Sequence, residues 1–297
     1  MKYDVIIPVA FKDYDFLSKS CKYLSENLGS DKFYILTDGK MQKFLPKAIR
    51  KDPKFVVVDE NSLIEDLTFE RVHKLICSLG RKHTRTGWYY QQFLKMAFAL
   101  STYCINDYYM SWDADTIPVR KMSFFNDNDK PFFSMKYEFQ KQYFDVMERL
   151  LNFGKISSMS FISEHMMFNK KVMIELIRKI DSNNCIQGDT WYEKILYALP
   201  PEIISVNAFS EFETYGTYCQ LYYPDMYEKR IINGFRLGGL IQGRFVSDRI
   251  LNEFSLYDFS IVSFEIYNRP PFPWGIICDL YERKYLKMKK WLFSKFA

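Results

Sequence analysis

Apolar and polar positions alternate between two periods along the first half of the chain. Tyr3-Asp4-Val5-Ile6-Ile7-Pro8-Val9 is a short, nearly unbroken apolar run, the pattern of a strand covered on both faces, ended by Pro8 and a loop at 10–12. Over residues 13–28 the apolar positions Phe16, Leu17, Cys21, Leu24 and Leu28 switch to helical spacing, and Gly29 stops them. Phe33-Tyr34-Ile35-Leu36-Thr37 predicts a second strand closed by the turn Asp38-Gly39, and Phe55-Val56-Val57-Val58 a third. A helix is expected over 88–103, with Tyr89, Phe93, Met96, Phe98 and Leu100 supplying its apolar surface. The next strand, Tyr108-Tyr109-Met110-Ser111-Trp112, runs straight into Asp113-Ala114-Asp115. Apolar strands separated by helices predict an α/β fold with a mostly parallel sheet flanked by helices.

Size sets the organisation. The chain has 297 residues and 48% hydrophobic content, enough for one α/β domain near the upper size of a single core, with a C-terminal extension beyond the Pro-rich joint Arg269-Pro270-Pro271-Phe272-Pro273. Aromatic residues reach 18%, more than a core requires; stacking on sugars and bases is one reading and compositional bias the other. The six cysteines are scattered, the N-terminus has no leader pattern, and no uncharged apolar run reaches the ~20 residues of a membrane span. A cytoplasmic location with reduced thiols is expected. The formal charge of +5 is uneven: beyond Glu282 there are six basic residues and no acid. The rest of the chain is close to neutral, which excludes a general nucleic-acid binder.

Candidate chemistry lies in three Asp-x-Asp pairs. Asp13/Asp15 opens a helix, where acids favour the dipole and caps. Asp127/Asp129 lies in Asn126-Asp127-Asn128-Asp129-Lys130-Pro131, a turn. Only Asp113/Asp115 follows an apolar strand, and ligands of open α/β sheets sit beyond the carboxyl ends of strands. Two carboxylates there can turn toward one hard cation, Mn²⁺ or Mg²⁺, which also binds a nucleotide diphosphate.

At this point the sequence resembles the GT-A glycosyltransferases. The blocks Gly87-Trp88-Tyr89-Tyr90-Gln91-Gln92-Phe93-Leu94-Lys95, Ser163-Glu164-His165-Met166-Met167-Phe168 and Ser210-Glu211-Phe212-Glu213-Thr214-Tyr215-Gly216 are similar to bacterial envelope-polysaccharide (lipopolysaccharide or capsule) transferases. The resemblance covers about residues 3–225 and implies a GT-A, Rossmann-like catalytic domain over 1–268. Its nucleotide-sugar-binding half would be 1–115 and its acceptor half 116–268. It implies a nucleotide-diphosphate sugar donor, a saccharide or lipid-linked glycan acceptor, and a metal ion on Asp113 and Asp115. Pro8, Ala10 and Asp38 match positions that hold base and ribose, though ordinary strand-end residues look the same. Lys95 would meet a phosphate, with Gln91 and Gln92 bonding sugar hydroxyls; a solvated helix face is the plain alternative. The usual late metal-binding histidine is missing, since His165 is the last of His73, His83 and His165.

Inverting transfer needs a carboxylate to take the acceptor proton, and Glu211, Glu213, Asp189 and Glu164 are the candidates. Glu211 follows the strand-like residues Ile203-Ile204-Ser205-Val206 and sits where inverting members carry their base; a capping acid is the other reading. Asp189 is expected to cap a helix over 191–199, and His165 to be a core residue. A sugar-nucleotide pyrophosphorylase would need a Gly-rich loop after the first strand, where Val9-Ala10-Phe11-Lys12-Asp13 stands instead. A non-catalytic sugar-binding protein on the same fold is the remaining alternative.

The extension, 269–297, reads as a basic amphipathic helix. Tyr281, Tyr285, Met288, Leu292 and Phe296 form one stripe, with Arg283, Lys287 and Lys290 opposite. That pattern predicts peripheral attachment to an anionic membrane surface, the inner face for a cytoplasmic protein; packing on the catalytic domain is the competing reading.

Overall fold

The computed structural model describes residues 1–80, 85–200 and 207–296; beyond Tyr281 the described side chains are those of Lys284, Lys287, Met288 and Trp291. In chain order the elements are β1 (Tyr3–Pro8), α1 (Tyr14–Asn27), β2 (Phe33–Thr37), α2 (Lys47–Lys51), β3 (Phe55–Asp59), α3 (Phe69–Ser78) and α4 (Thr86–Ala97). There follow β4 (Tyr108–Trp112), β5 (Thr116–Pro118), β6 (Phe132–Ser134), α5 (Lys141–Leu151), β7 (His165–Asn169), α6 (Lys170–Asp181), α7 (Trp191–Ala198) and α8 (Glu211–Tyr222). The remainder comprises β8 (Glu228–Arg230), β9 (Gly234–Phe235), α9 (Gly239–Gln242), α10 (Asp248–Leu256), β10 (Ile261–Ser263) and α11 (Trp274–Phe296).

The central sheet has the order β3-β2-β1-β4-β7. Its first four strands are parallel and β7 runs antiparallel to β4, pairing Trp112 with His165. This is the mixed α/β architecture with a mostly parallel sheet that the apolar runs predict. Those runs are buried because both faces are covered: Val5, Ile6, Ile7, Ile35, Leu36, Tyr109, Met110 and Trp112 are all sealed from solvent.

A smaller sheet holds the loop after β4 in place. β5 pairs antiparallel with β10, which pairs parallel with β9, over a separate core of Phe16, Ile117, Leu251, Phe254, Val262 and Phe264. The Thr116 and Ser263 hydroxyls meet at 2.8 Å, and the Phe264 N–H donates to the Asp115 carbonyl at 2.8 Å. Residues 264–265, far away in sequence, are thereby brought beside Asp115.

Three local expectations change. The helix expected over 88–103 ends at Ala97 and tightens into a 3₁₀ turn, because the Ser101 hydroxyl takes the Phe98 carbonyl and turns the chain back toward β4. Thr190, not Asp189, occupies the cap of α7; the Asp189 N–H donates instead to Glu193 of the first turn at 2.8 Å. Asp13 precedes α1 but makes no capping bond with its side chain. The turn at 126–130 is as expected, the Asn126 amide oxygen accepting from Asn128 and Lys130. The strand expected at 203–206, and His83, lie outside the described residues. So do the stripe side chains of Tyr285, Leu292 and Phe296, although α11 is helical as predicted. No helix among the described residues is long and apolar enough to cross a membrane.

Candidate active site

Because β1 to β4 are parallel, Pro8, Thr37, Asp59 and Trp112 end along one edge of the sheet, and the polar residues that follow them share that edge. Pro8 and Ala10 thus stand beside Asp38. The Asp38 carboxylate accepts from the Lys40 N–H at 2.7 Å, while Asp59 reaches across to the Gly39 N–H at 3.0 Å. A Cβ at Gly39 would lie 2.4 Å from an Asp59 carboxylate oxygen, so a side chain there would displace that carboxylate. Burial, reinforced by Asp38 and Asp59, pushes the neighbouring Glu60 carboxyl up to about 8.

Asp113 leaves β4 in a turn whose Thr116 N–H donates back to its carbonyl at 3.0 Å. The Asp113 N–H itself donates to the Glu164 carbonyl, just before β7, at 2.9 Å. Its carboxylate meets the ammonium of Lys95 at 3.1 Å, and the same ammonium meets Glu211 at 3.0 Å. Lys95 and Glu211 are buried, whereas the Asp113 side chain remains 38% exposed. Phe212 lies under the ammonium, 4.5 Å from its ring centre. The Gln92 amide lies against the Glu211 carboxylate, which its nitrogen can reach as a donor once the amide is turned. Two acids outweigh the desolvation of Lys95 and hold it firmly charged, while burial raises Glu211 against the pull of Lys95.

Asp115 has different surroundings. Burial comes first among the causes that push its carboxyl up to about 7, followed by Asp113 and Asp13; Glu265 adds to them and Arg244 opposes them. Arg244 pairs with Asp13 at 2.9 Å. The guanidinium also lies over Phe16, 5.1 Å from the ring centre. Beside this cluster Glu164 is buried with Lys136 on its outer oxygen, and Arg236 reaches the same oxygen at 3.3 Å.

The structure therefore gathers Gln92, Lys95, Asp113 and Glu211 into one bonded cluster, with Asp115 next to it. Gln91 is half-buried on the preceding turn of α4. Glu213 lies in the first turn of α8, capped by Ser210, and its carboxylate accepts from the Ser160 hydroxyl; burial raises it. Asp189 is exposed beside Glu193, outside the Lys95 cluster. His165 is a core residue, stacked on Trp112 with ring centres 4.9 Å apart. Asp13, Glu265, Arg236 and Arg244 are the site residues that sequence reasoning misses. Asp13 resembled a helix cap, and the other three lie over a hundred residues beyond Asp115 with no motif around them.

Asp113 and Asp115 offer hard oxygen donors, and the acidic surroundings of Asp115 are short of positive charge, so a Mn²⁺ or Mg²⁺ ion fits their chemistry. No group of three His, Cys, Asp or Glu side chains converges as a metal cage among the described residues. An ion held by these two aspartates would complete its shell with phosphate and water oxygens.

Mouse xyloside xylosyltransferase 1, in its apo form, is 9% identical over 91% of this chain and 100% of its own, with a TM-score of 0.43. The mannosyltransferase Ktr4p from S. cerevisiae is 12% identical over 71% of this chain and 66% of its own, with a TM-score of 0.42. The glycosyltransferase GlyE of Streptococcus pneumoniae TIGR4 is 10% identical over 100% of this chain and 64% of its own, with a TM-score of 0.41. None of the curated proteins compared with the chain matches it. A family model described as "Family of unknown function (DUF6492)" matches residues 2–231, from the first strand through β8. That span takes in the whole central sheet and the Lys95–Asp113–Glu211 cluster, and the chain belongs to this family.

Proposed function

We propose that the protein transfers a glycosyl group from a nucleotide-diphosphate sugar to a hydroxyl of a saccharide or lipid-linked glycan, with Mn²⁺ or Mg²⁺ on Asp113 and Asp115. One observation carries the reading. At the carboxyl end of a central parallel strand, one aspartate is fixed by a buried lysine while its neighbour sits half-buried among acids, Asp113, Asp13 and Glu265, that outweigh the opposing pull of Arg244. When bound, the metal ion offsets charge that grows on the departing diphosphate.

The chain's own residues divide the remaining work. Pro8, Ala10 and Asp38 hold the base and ribose along the sheet edge. Lys95, already shared by two carboxylates, orients Asp113; Glu211, bonded to Lys95 and Gln92, positions that lysine. Gln91 faces the sugar hydroxyls. For the acceptor proton Glu213 is preferred: its hydrogen-bond partner is a hydroxyl where that of Glu211 is a cation, Asp189 lies exposed outside the cluster, and a raised carboxyl suits proton transfer near neutrality. Residues 116–268 form the acceptor half, and the basic C-terminal segment brings the enzyme to the anionic inner face of the membrane.

Calorimetry with a panel of nucleotide sugars tests the donor site. Affinity should depend on Mn²⁺ in the natural protein and be lost in Asp115→Ala. Metal-independent binding unchanged in that variant would remove the reading. Binding without turnover would favour a non-catalytic sugar-binding protein, and turnover only with sugar 1-phosphate and nucleoside triphosphate would favour a pyrophosphorylase.

A further inference from the structure

α9 and the turn that follows it (Gly243–Phe245) face the first half of α11 across a cleft of about 480 Å³. Ile241, Phe245, Trp274, Ile277 and Tyr281 line it, each between 44% and 63% exposed, with Cys278 at its floor. Phe245 and Tyr281 meet edge-on at 5.0 Å, closing one end. Leu240, Ile276 and Leu280 on the same two helices are exposed as well. A soluble domain rarely leaves so many large apolar side chains together in water, and the volume suits a small-molecule site.

Charge identifies the occupant. Along α11 the cleft runs directly into a segment with six basic residues and no acid, of which Lys284 and Lys287 are described and exposed. Of the acids on the helix, Asp279 is paired with Arg269 at 2.9 Å, and Glu282 stands at the start of the basic run. An apolar slot beside a basic strip is complementary to an amphiphile with a hydrocarbon tail and an anionic head at an anionic surface. The slot is also tied to the acidic cluster. Gly243 takes a backbone conformation (φ +58°, ψ −151°) that only glycine adopts readily, and it leads from the cleft-lining helix to Arg244. The Arg244 side chain pairs with Asp13 beside Asp115, while the next residue, Phe245, lines the cleft.

We propose that this cleft takes one hydrocarbon chain of an anionic lipid, with its headgroup toward the Lys284 and Lys287 end of α11. That the lipid carries the acceptor glycan rests on the sugar-transfer reading; that the cleft binds a chain does not.

The test uses the full chain and single-chain myristoyl lysophosphatidylglycerol below its micellar concentration, titrated by calorimetry. Saturable binding of one lipid per chain is expected, with none for glycerophosphoglycerol. Ile277→Glu, at an exposed position, should weaken it about tenfold or more, since the tail's apolar burial supplies the affinity. Lys284→Glu with Lys287→Glu should weaken binding of the single lipid and reduce flotation with phosphatidylglycerol vesicles; unchanged binding of the single lipid would count against the proposal. No saturable binding, or equal binding by Ile277→Glu with an unchanged melting curve, overturns the proposal. So does a dimer in sedimentation that Ile277→Glu converts to monomer, which would make the cleft a contact between copies. Transfer to a soluble saccharide, measured separately, shows whether the sugar-transfer reading fails on its own.

Discussion

Lys95 is the residue on which the charge balance of the site turns. It is buried between Asp113 and Glu211, so its loss leaves a buried carboxylate without a counter-ion. Breaking such a pair costs about 3–5 kcal/mol, and Lys95→Met should lower unfolding free energy in urea by that order. Adding Glu211→Gln should restore part of the loss, because the unpaired charge disappears with it; no recovery in the double variant would mean that the two side chains are not coupled. The same geometry separates two roles for Glu211. As a positioning residue it should affect donor affinity and kcat together when changed to Gln, whereas Glu213→Gln should lower kcat by roughly 10²–10⁴ with donor affinity retained. A Glu213→Gln enzyme with full turnover would end its assignment. At this scale the sequence discloses Asp113, Asp115, Lys95 and Gln92, which share one strand end and the helix before it. It does not disclose Arg244 or Glu265. Their approach depends on β10 pairing with β5, and no local pattern encodes that contact.

Elements with one unmistakable period are the legible ones. The strands β1, β2 and β4 are continuous apolar runs because both sheet faces are covered, and the helix over 14–27 keeps a single apolar face. The end of α4 is not legible, since apolar residues continue through the 3₁₀ turn and the break comes from one serine hydroxyl. β7 carries a consequence of its own. His165 is buried against Trp112, its ring nitrogen meets the Ser134 hydroxyl at 2.9 Å, and burial, aided by Arg230 and Lys136, pushes its imidazole down to about 3. A folded value below the ordinary 6.5 means that the unfolded chain binds the proton first. The stability from the neutral ring is therefore complete above about 6.5 and is lost progressively as pH falls toward 3. Between pH 7 and pH 5 the protein should lose about 2 kcal/mol more than His165→Gln, read from urea curves at the two values. Equal losses would mean that the ring is not held neutral.

For the whole molecule, the parallel edge and the C-terminal extension set the geometry in which any chemistry takes place. The family match ends at residue 231, so Arg244, Glu265 and the cleft lie in the part of the chain beyond it. Sequence periodicity predicts the C-terminal helix but not the cleft, because the facing wall comes from 241–245. A chain ending at Glu282 keeps every cleft-lining residue and loses the basic strip. It should bind the lysolipid more weakly and fail to float with anionic vesicles; flotation at equal salt would assign the attachment to another surface. The most direct test of the central claim is release of free nucleotide diphosphate from a panel of nucleotide sugars, with a saccharide acceptor and with or without Mn²⁺. The account predicts Mn²⁺-dependent release for one donor by the natural protein, loss of it in Asp115→Ala, and full release in Asp127→Ala, where the aspartate lies in an exposed turn. Equal release by Asp115→Ala and the natural protein would contradict it.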